Sequence, residues 1–207
     1  MKKQLLLATI CLVASLNARA TLFNSGSSIG TIPDGNLAGV TFSGTASDFT
    51  AGWTVSQLTV GLDISGGIDG NLFAYLVAPN GTTVQLLDRP GVTGGNSFGN
   101  MISGMTITLA DGGQTINASS DLFNTSVNYA PVAALSGFNG VVANGTWQLF
   151  FADQVTGGGT DTLNSWSLDI TAVPEPVNVA LGIFGVCVLV ACGIRFWRRR
   201  QNRVQAG

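Results

Sequence analysis

The 207-residue chain contains no histidine. That excludes His-based catalytic triads, imidazole acid–base chemistry and most zinc or transition-metal sites. Its three cysteines, Cys11, Cys187 and Cys192, all lie in apolar segments near the two ends. Residues 21–172 therefore have no disulfide framework, thiol nucleophile or thiolate metal site. The same stretch has no glutamate and a single basic residue, Arg89, against ten aspartates. Such a surface repels nucleic acid and anionic polymers, whose binding needs basic groups. An enzyme here would have to run on aspartates alone. Glycoside hydrolysis needs two acids facing across a cleft, and nothing in the pattern pairs them. The expectation is a protein that is not an enzyme.

The ends of the chain are specific. Met1-Lys2-Lys3, the apolar run Leu5–Leu16 and Ala18-Arg19-Ala20 have the three parts of a secretory signal peptide over residues 1–20, with signal peptidase cutting before Thr21. Near the other end stands Val173-Pro174-Glu175-Pro176. It is followed by an uncharged run at 177–194, whose strongest polar group is Asn178. Eighteen residues at the helical rise make roughly 27 Å, enough for the ~30 Å hydrocarbon core of a bilayer. The basic tail, 195–207, opens with Arg195, Arg198, Arg199 and Arg200, which the positive-inside rule keeps in the cytoplasm. Phe196 and Trp197 suit the headgroup level.

This order of Pro-Glu-Pro motif, single transmembrane helix and arginine-rich end resembles the PEP-CTERM sorting signal of Gram-negative bacteria. The resemblance implies that an exosortase-type enzyme in the inner membrane recognises Pro174, Glu175 and Pro176. The domain would be held on the periplasmic side and pass to the cell surface or extracellular matrix once the tail is removed. Permanent anchoring by the same helix is the alternative.

Between the ends, residues 21–172 hold 24 of the 28 glycines. Asp34-Gly35, Asp69-Gly70, Asn80-Gly81, Asp111-Gly112, Asn139-Gly140 and Asn144-Gly145 are turn dipeptides. Between them the apolar period is two: Leu58/Val60/Leu62/Ile64, Met105/Ile107/Leu109, Trp147/Leu149/Phe151 and Trp166/Leu168/Ile170. Strands of this kind bury one face and wet the other. Leu72–Val77, apolar on both faces, is expected to be a central strand. Seven or more short strands, with no helical period before the tail, predict an all-β ectodomain, a jelly-roll β-sandwich, followed by one transmembrane helix. A glycine-rich solenoid would need a fixed short period, and none is present. Gly91–Met101 and Ala110–Asn128 read as long loops.

Gly70-Asn71-Leu72-Phe73-Ala74-Tyr75-Leu76-Val77-Ala78-Pro79-Asn80-Gly81-Thr82 forms one landmark. Gly145-Thr146-Trp147, Asp153 and Leu163-Asn164-Ser165-Trp166-Ser167-Leu168 form another. Together they resemble the P domain (P/Homo B domain) of proprotein convertases and related bacterial proteins. The chain departs from that pattern where the usual histidine is missing near Gly66 and the usual aspartate is Asn71. The resemblance implies a jelly roll and, in some relatives, bound calcium. It also implies a domain that supports a subtilisin-like protease, which this sequence is not expected to contain.

Asp34, Asp69, Asp153 and Asp161 lie in turn-rich segments at strand ends and are the candidate calcium ligands, calcium preferring hard oxygen donors. Asp-Gly turn chemistry and solubilising charge explain the same residues without an ion. Trp53, Tyr75, Phe98 and Tyr129 are aromatic candidates for sugar stacking, with ordinary core or edge packing as the competing role. The expected function is that of an exported binding or structural protein of the surface or matrix, its partners including extracellular polysaccharide. The rival reading is an accessory domain for a separate serine protease.

Overall fold

Alternating apolar side chains become strands wherever a second sheet can cover them. In the computed structural model, residues 18–24, 29–116 and 126–204 are described, with backbone alone at 176–179 and 198–204. Most of the expected signal peptide, Cys11 and Asp121 lie outside the described residues. Ten strands are found among them: β1 Arg19–Asn24, β2 Gly30–Ile32, β3 Val40–Ala46, β4 Trp53–Gly66, β5 Leu72–Val77, β6 Thr83–Asp88, β7 Met105–Thr115, β8 Asn128–Ala130, β9 Gly145–Asp153 and β10 Asp161–Pro174. They form two sheets, ordered β1-β10-β4-β7-β8 and β3-β9-β5-β6, with β2 also pairing β10.

The four alternating segments fall on β4, β7, β9 and β10, and their apolar residues are all buried between the sheets. β5 is central, flanked by β9 and β6. Leu72, Ala74 and Leu76 face the core with no exposure. Its outward residues are half-buried because they cover one another: Tyr75 stacks on Phe150 with ring centres 4.5 Å apart. Trp147 and Trp166 are buried at the centre. The Trp147 indole N–H donates to Ala143 O (3.2 Å), and Phe138 meets the ring edge-on at 5.2 Å. An indole of this size buries about 200 Å², so these two side chains anchor the sandwich.

Three expectations need correction. Ala110–Asn128 is not a loop throughout, since β7 continues to Thr115 and residues 117–125 lie outside the described residues. Asp111-Gly112 does not reverse the chain. Gly112, at φ 80°, instead lies where the pairing with β8 shifts register between Leu109 and Gln114. The Asp111 carboxylate accepts the amides of Leu135 and Ser136, at 2.7 and 2.8 Å. Asp69-Gly70 likewise makes no positive-φ turn; it belongs to a 3-10 turn, Asp69–Asn71.

Helix α1, Pro176–Val204, is described by itself. Proline suits a first helical turn, where its missing N–H has no partner to lose. Residues Ala180–Trp197 are long and apolar enough to cross a membrane, with mean hydropathy 2.0 and no burial against protein. The helix does not stop at Ile194 but carries on through the arginines to Val204, because nothing in that segment breaks helical geometry.

Candidate cation site

Strand register brings four aspartates to one end of the sandwich. β2 pairs Ile32 with Asp161, which places Asp34, two residues further on, beside the start of β10. β5 pairs Leu72 with Asp153, which places the end of β9 beside the 3-10 turn that carries Asp69. Gly66 and Gly67, both at positive φ, connect β4 to that turn. A β-carbon on Gly67 would overlap the Asp161 carboxylate. The turn is held from outside by Asp69 N donating to Ile102 O (3.0 Å) and Gly70 N to Asn100 O (2.8 Å).

The acids are not equivalent. Asp34 is satisfied by the amides of Gly157 (3.1 and 3.0 Å to its two oxygens) and Gly158 (3.2 Å). Asp153 Oδ1 accepts the Val155 amide at 2.9 Å, capping its own turn. Asp69, Asp153 and Asp161 are fully buried. Both oxygens of Asp69, both of Asp161 and Oδ2 of Asp153 have no hydrogen-bond partner. Orphaned buried carboxylate oxygens are costly and rare enough to demand an explanation. Asn100 Nδ2 is also buried without a partner.

Among the described residues basic charge relieves them only weakly. Arg89, itself at φ 48°, donates to Gly70 O (3.2 Å) and Ser97 O (3.0 Å), shaping the 89–100 loop, and its charge is the smallest of the influences on Asp153, lowering it. Burial, then the charge of Asp161, pushes Asp69 up to about 7, opposed only by the Gly104 amide dipole. Burial, then Asp153 and Asp34, pushes Asp161 up to about 7. Asp153 is raised, chiefly by burial.

Among the described residues no three acids converge closely enough to hold a metal by themselves. The orphaned oxygens point the other way, and they weigh more: a hard cation completes its shell with carbonyls and amide oxygens as well as carboxylates. With oxygen donors only, and with glycine-rich backbone on several sides, the residues fit calcium, which takes six to eight oxygens in flexible geometry. Asp69 and Asp161 would be the principal ligands, with Asp153 Oδ2 next and Asp34 setting the charge around them.

Sequence reasoning named the four aspartates but not Asn100 or Gly67. The Gly66-Gly67 pair preceding Asp69 was the available signal for close approach. Pro174 closes β10, Pro176 opens α1 and Glu175 between them is half-buried. Arg195 is exposed on α1, and only the backbone is described at Arg198, Arg199 and Arg200. Of the aromatic candidates, Tyr129 is core, Trp53 and Tyr75 are half-buried, and Phe98 is 67% exposed.

The proprotein convertase P-domain profile matches residues 55–170. Among solved structures, a serine protease of Aeromonas sobria is 18% identical, with TM-score 0.43, over 74% of this chain and 26% of that one. The Aeromonas sobria serine protease in complex with its chaperone is 17% identical, with TM-score 0.45, over 76% and 27%. The infectious bursal disease virus VP2 subviral particle is 15% identical, with TM-score 0.24, over 77% and 43%. The chain thus spans about a quarter of the length of the proteases it matches. No curated protein sequence matches significantly. With more than half of its residues under the family profile, the chain belongs to the proprotein convertase P-domain family.

Proposed function

We propose that this chain is an exported, non-catalytic protein whose P domain is stabilised by calcium and serves as a binding or structural module at the cell surface or in the extracellular matrix. Signal peptidase and an exosortase-type enzyme would process its two ends. The observation that carries the reading is the order of parts: a P-domain sandwich, then Pro174-Glu175-Pro176, then an apolar helix long enough to span a bilayer, then arginines. The two prolines hold the motif extended and remove N–H donors, so an enzyme can read it as a stiff segment with one charge. The absence of histidine from the whole chain supports a role without catalysis. Replacing Pro174, Glu175 and Pro176 by alanine and following the C-terminus by mass spectrometry tests it. The motif variant is expected to remain membrane-bound and unprocessed, whereas normal processing contradicts the sorting role.

A second reading has one observation in its favour, the proprotein convertase P-domain profile over residues 55–170. On that reading the domain assists a separate protease. Co-purification with a protease, and loss of that protease's activity on deletion of this chain, would favour it.

A further inference from the structure

We infer that the outer face of the larger sheet carries a binding groove for a neutral polyhydroxylated ligand, one or two sugar rings of a polysaccharide. The inference deepens the matrix-binding reading above and rests on it. The groove is a hollow of about 370 Å³ across β4, β7 and β10, within the size range of small-molecule sites. Gly61 creates it. Every other outward position of β4 around it bears a side chain, and a β-carbon on Gly61 would run into Ser167 Oγ.

The walls mix apolar surface, Ile29 among it, with polar side chains that are already organised. Asp63 Oδ1 accepts the Thr106 hydroxyl at 3.1 Å and the Asn164 amide at 3.5 Å, while Asn164 Oδ1 accepts the Ser65 hydroxyl at 3.2 Å. These bonds fix the acid and the amide through Asp63 Oδ1, and Asp63 itself lines the hollow. The hydroxyls of Thr108 and Ser167 also line it. A fixed acceptor beside several hydroxyls that both donate and accept is what a vicinal diol needs, since each sugar hydroxyl does the same. No basic side chain lines the hollow, so carboxylated or sulfated sugars are disfavoured by Asp63. The groove shares no residue with the cation site and is independent of it.

The test uses the full chain in lipid nanodiscs and calorimetric titration with neutral tetrasaccharides of glucose, mannose, galactose or N-acetylglucosamine, beside a glucosamine tetramer and an alginate tetramer. One of the neutral probes is expected to bind, with affinity at least tenfold weaker in both Gly61→Val and Asp63→Asn. Valine at 61 must push the Ser167 hydroxyl aside, so the melting temperature of Gly61→Val, read beside that of Asp63→Asn, separates blocked binding from failed folding. Binding of a neutral probe that both variants retain would overturn the groove while leaving the matrix reading intact. Binding of the glucosamine or alginate tetramer in place of every neutral probe would overturn the ligand class. No binding of any probe would overturn both.

Discussion

Gly67 passes directly beneath Asp161, so closely that any side chain at 67 would collide with the Asp161 carboxylate. The backbone there, at φ 51°, is left-handed, and the approach fixes the acid beside the turn that carries Asp69. Gly67→Ala is expected to destabilise the domain by about 1–3 kcal/mol through strain at positive φ together with displacement of Asp161. Gly81→Ala, at φ 88° in open space, carries the backbone strain without the collision. Chemical denaturation of both variants in calcium and in chelator measures this, and Gly67→Ala alone should lose its calcium-dependent increment.

The acids make stability depend on pH in a defined direction. Asp69 and Asp161 are held up to about 7 in the folded chain, well above the ~3.9 of an unfolded aspartate. The folded state thus binds protons more tightly than the unfolded one. Their contribution is complete below about pH 4 and is lost as pH rises through about 7. In chelator, the melting temperature is expected to fall between pH 5 and pH 8. Asp69→Asn and Asp161→Asn should each flatten that slope, and an unchanged slope would show that neither group titrates as described.

Calcium should reverse the trend, because metal competes with protons for the same oxygens. At 100 times its dissociation constant an ion that binds only the folded state adds about 2.7 kcal/mol. Raising pH from 6 to 8 in calcium is therefore expected to strengthen binding, with proton release visible as a buffer-dependent heat.

The core predicts its own failure. Trp147→Ala removes a fully buried ring that Phe138 packs against and that bonds Ala143 O. The expected loss is about 3–5 kcal/mol. Phe98→Ala, on an exposed ring, should leave the denaturation midpoint within experimental error.

Much of this architecture was legible because burial on one face writes itself as a period of two. β4, β7, β9 and β10 could be read from Leu58/Val60/Leu62, Met105/Ile107, Trp147/Leu149 and Trp166/Leu168. β3 was not, because its alternation fades into Ser43, Gly44, Thr45 and Ala46, and its place comes from pairing Phe42 with Leu149 across the sheet. β8, only three residues long and parallel to β7, had no period to show. The four aspartates could be named from oxygen-ligand chemistry and strand-end position. Their burial could not, since it arises only when Ile32 pairs with Asp161 and Leu72 with Asp153. A one-residue slip in either pairing would turn an acid out to water. The arginines read as a tail proved to prolong α1, since lipid-facing and solvent-facing helix differ in hydropathy but not in backbone geometry.

The central claim is that the buried aspartates hold a cation. Its most direct measurement is a calcium titration of the full chain in nanodiscs at pH 8, with the Asp69→Asn/Asp161→Asn double variant alongside. The account predicts saturable binding and a raised melting temperature in the native chain, both absent from the variant. A native chain that binds no calcium, and melts at the same temperature in millimolar calcium as in chelator, would contradict it.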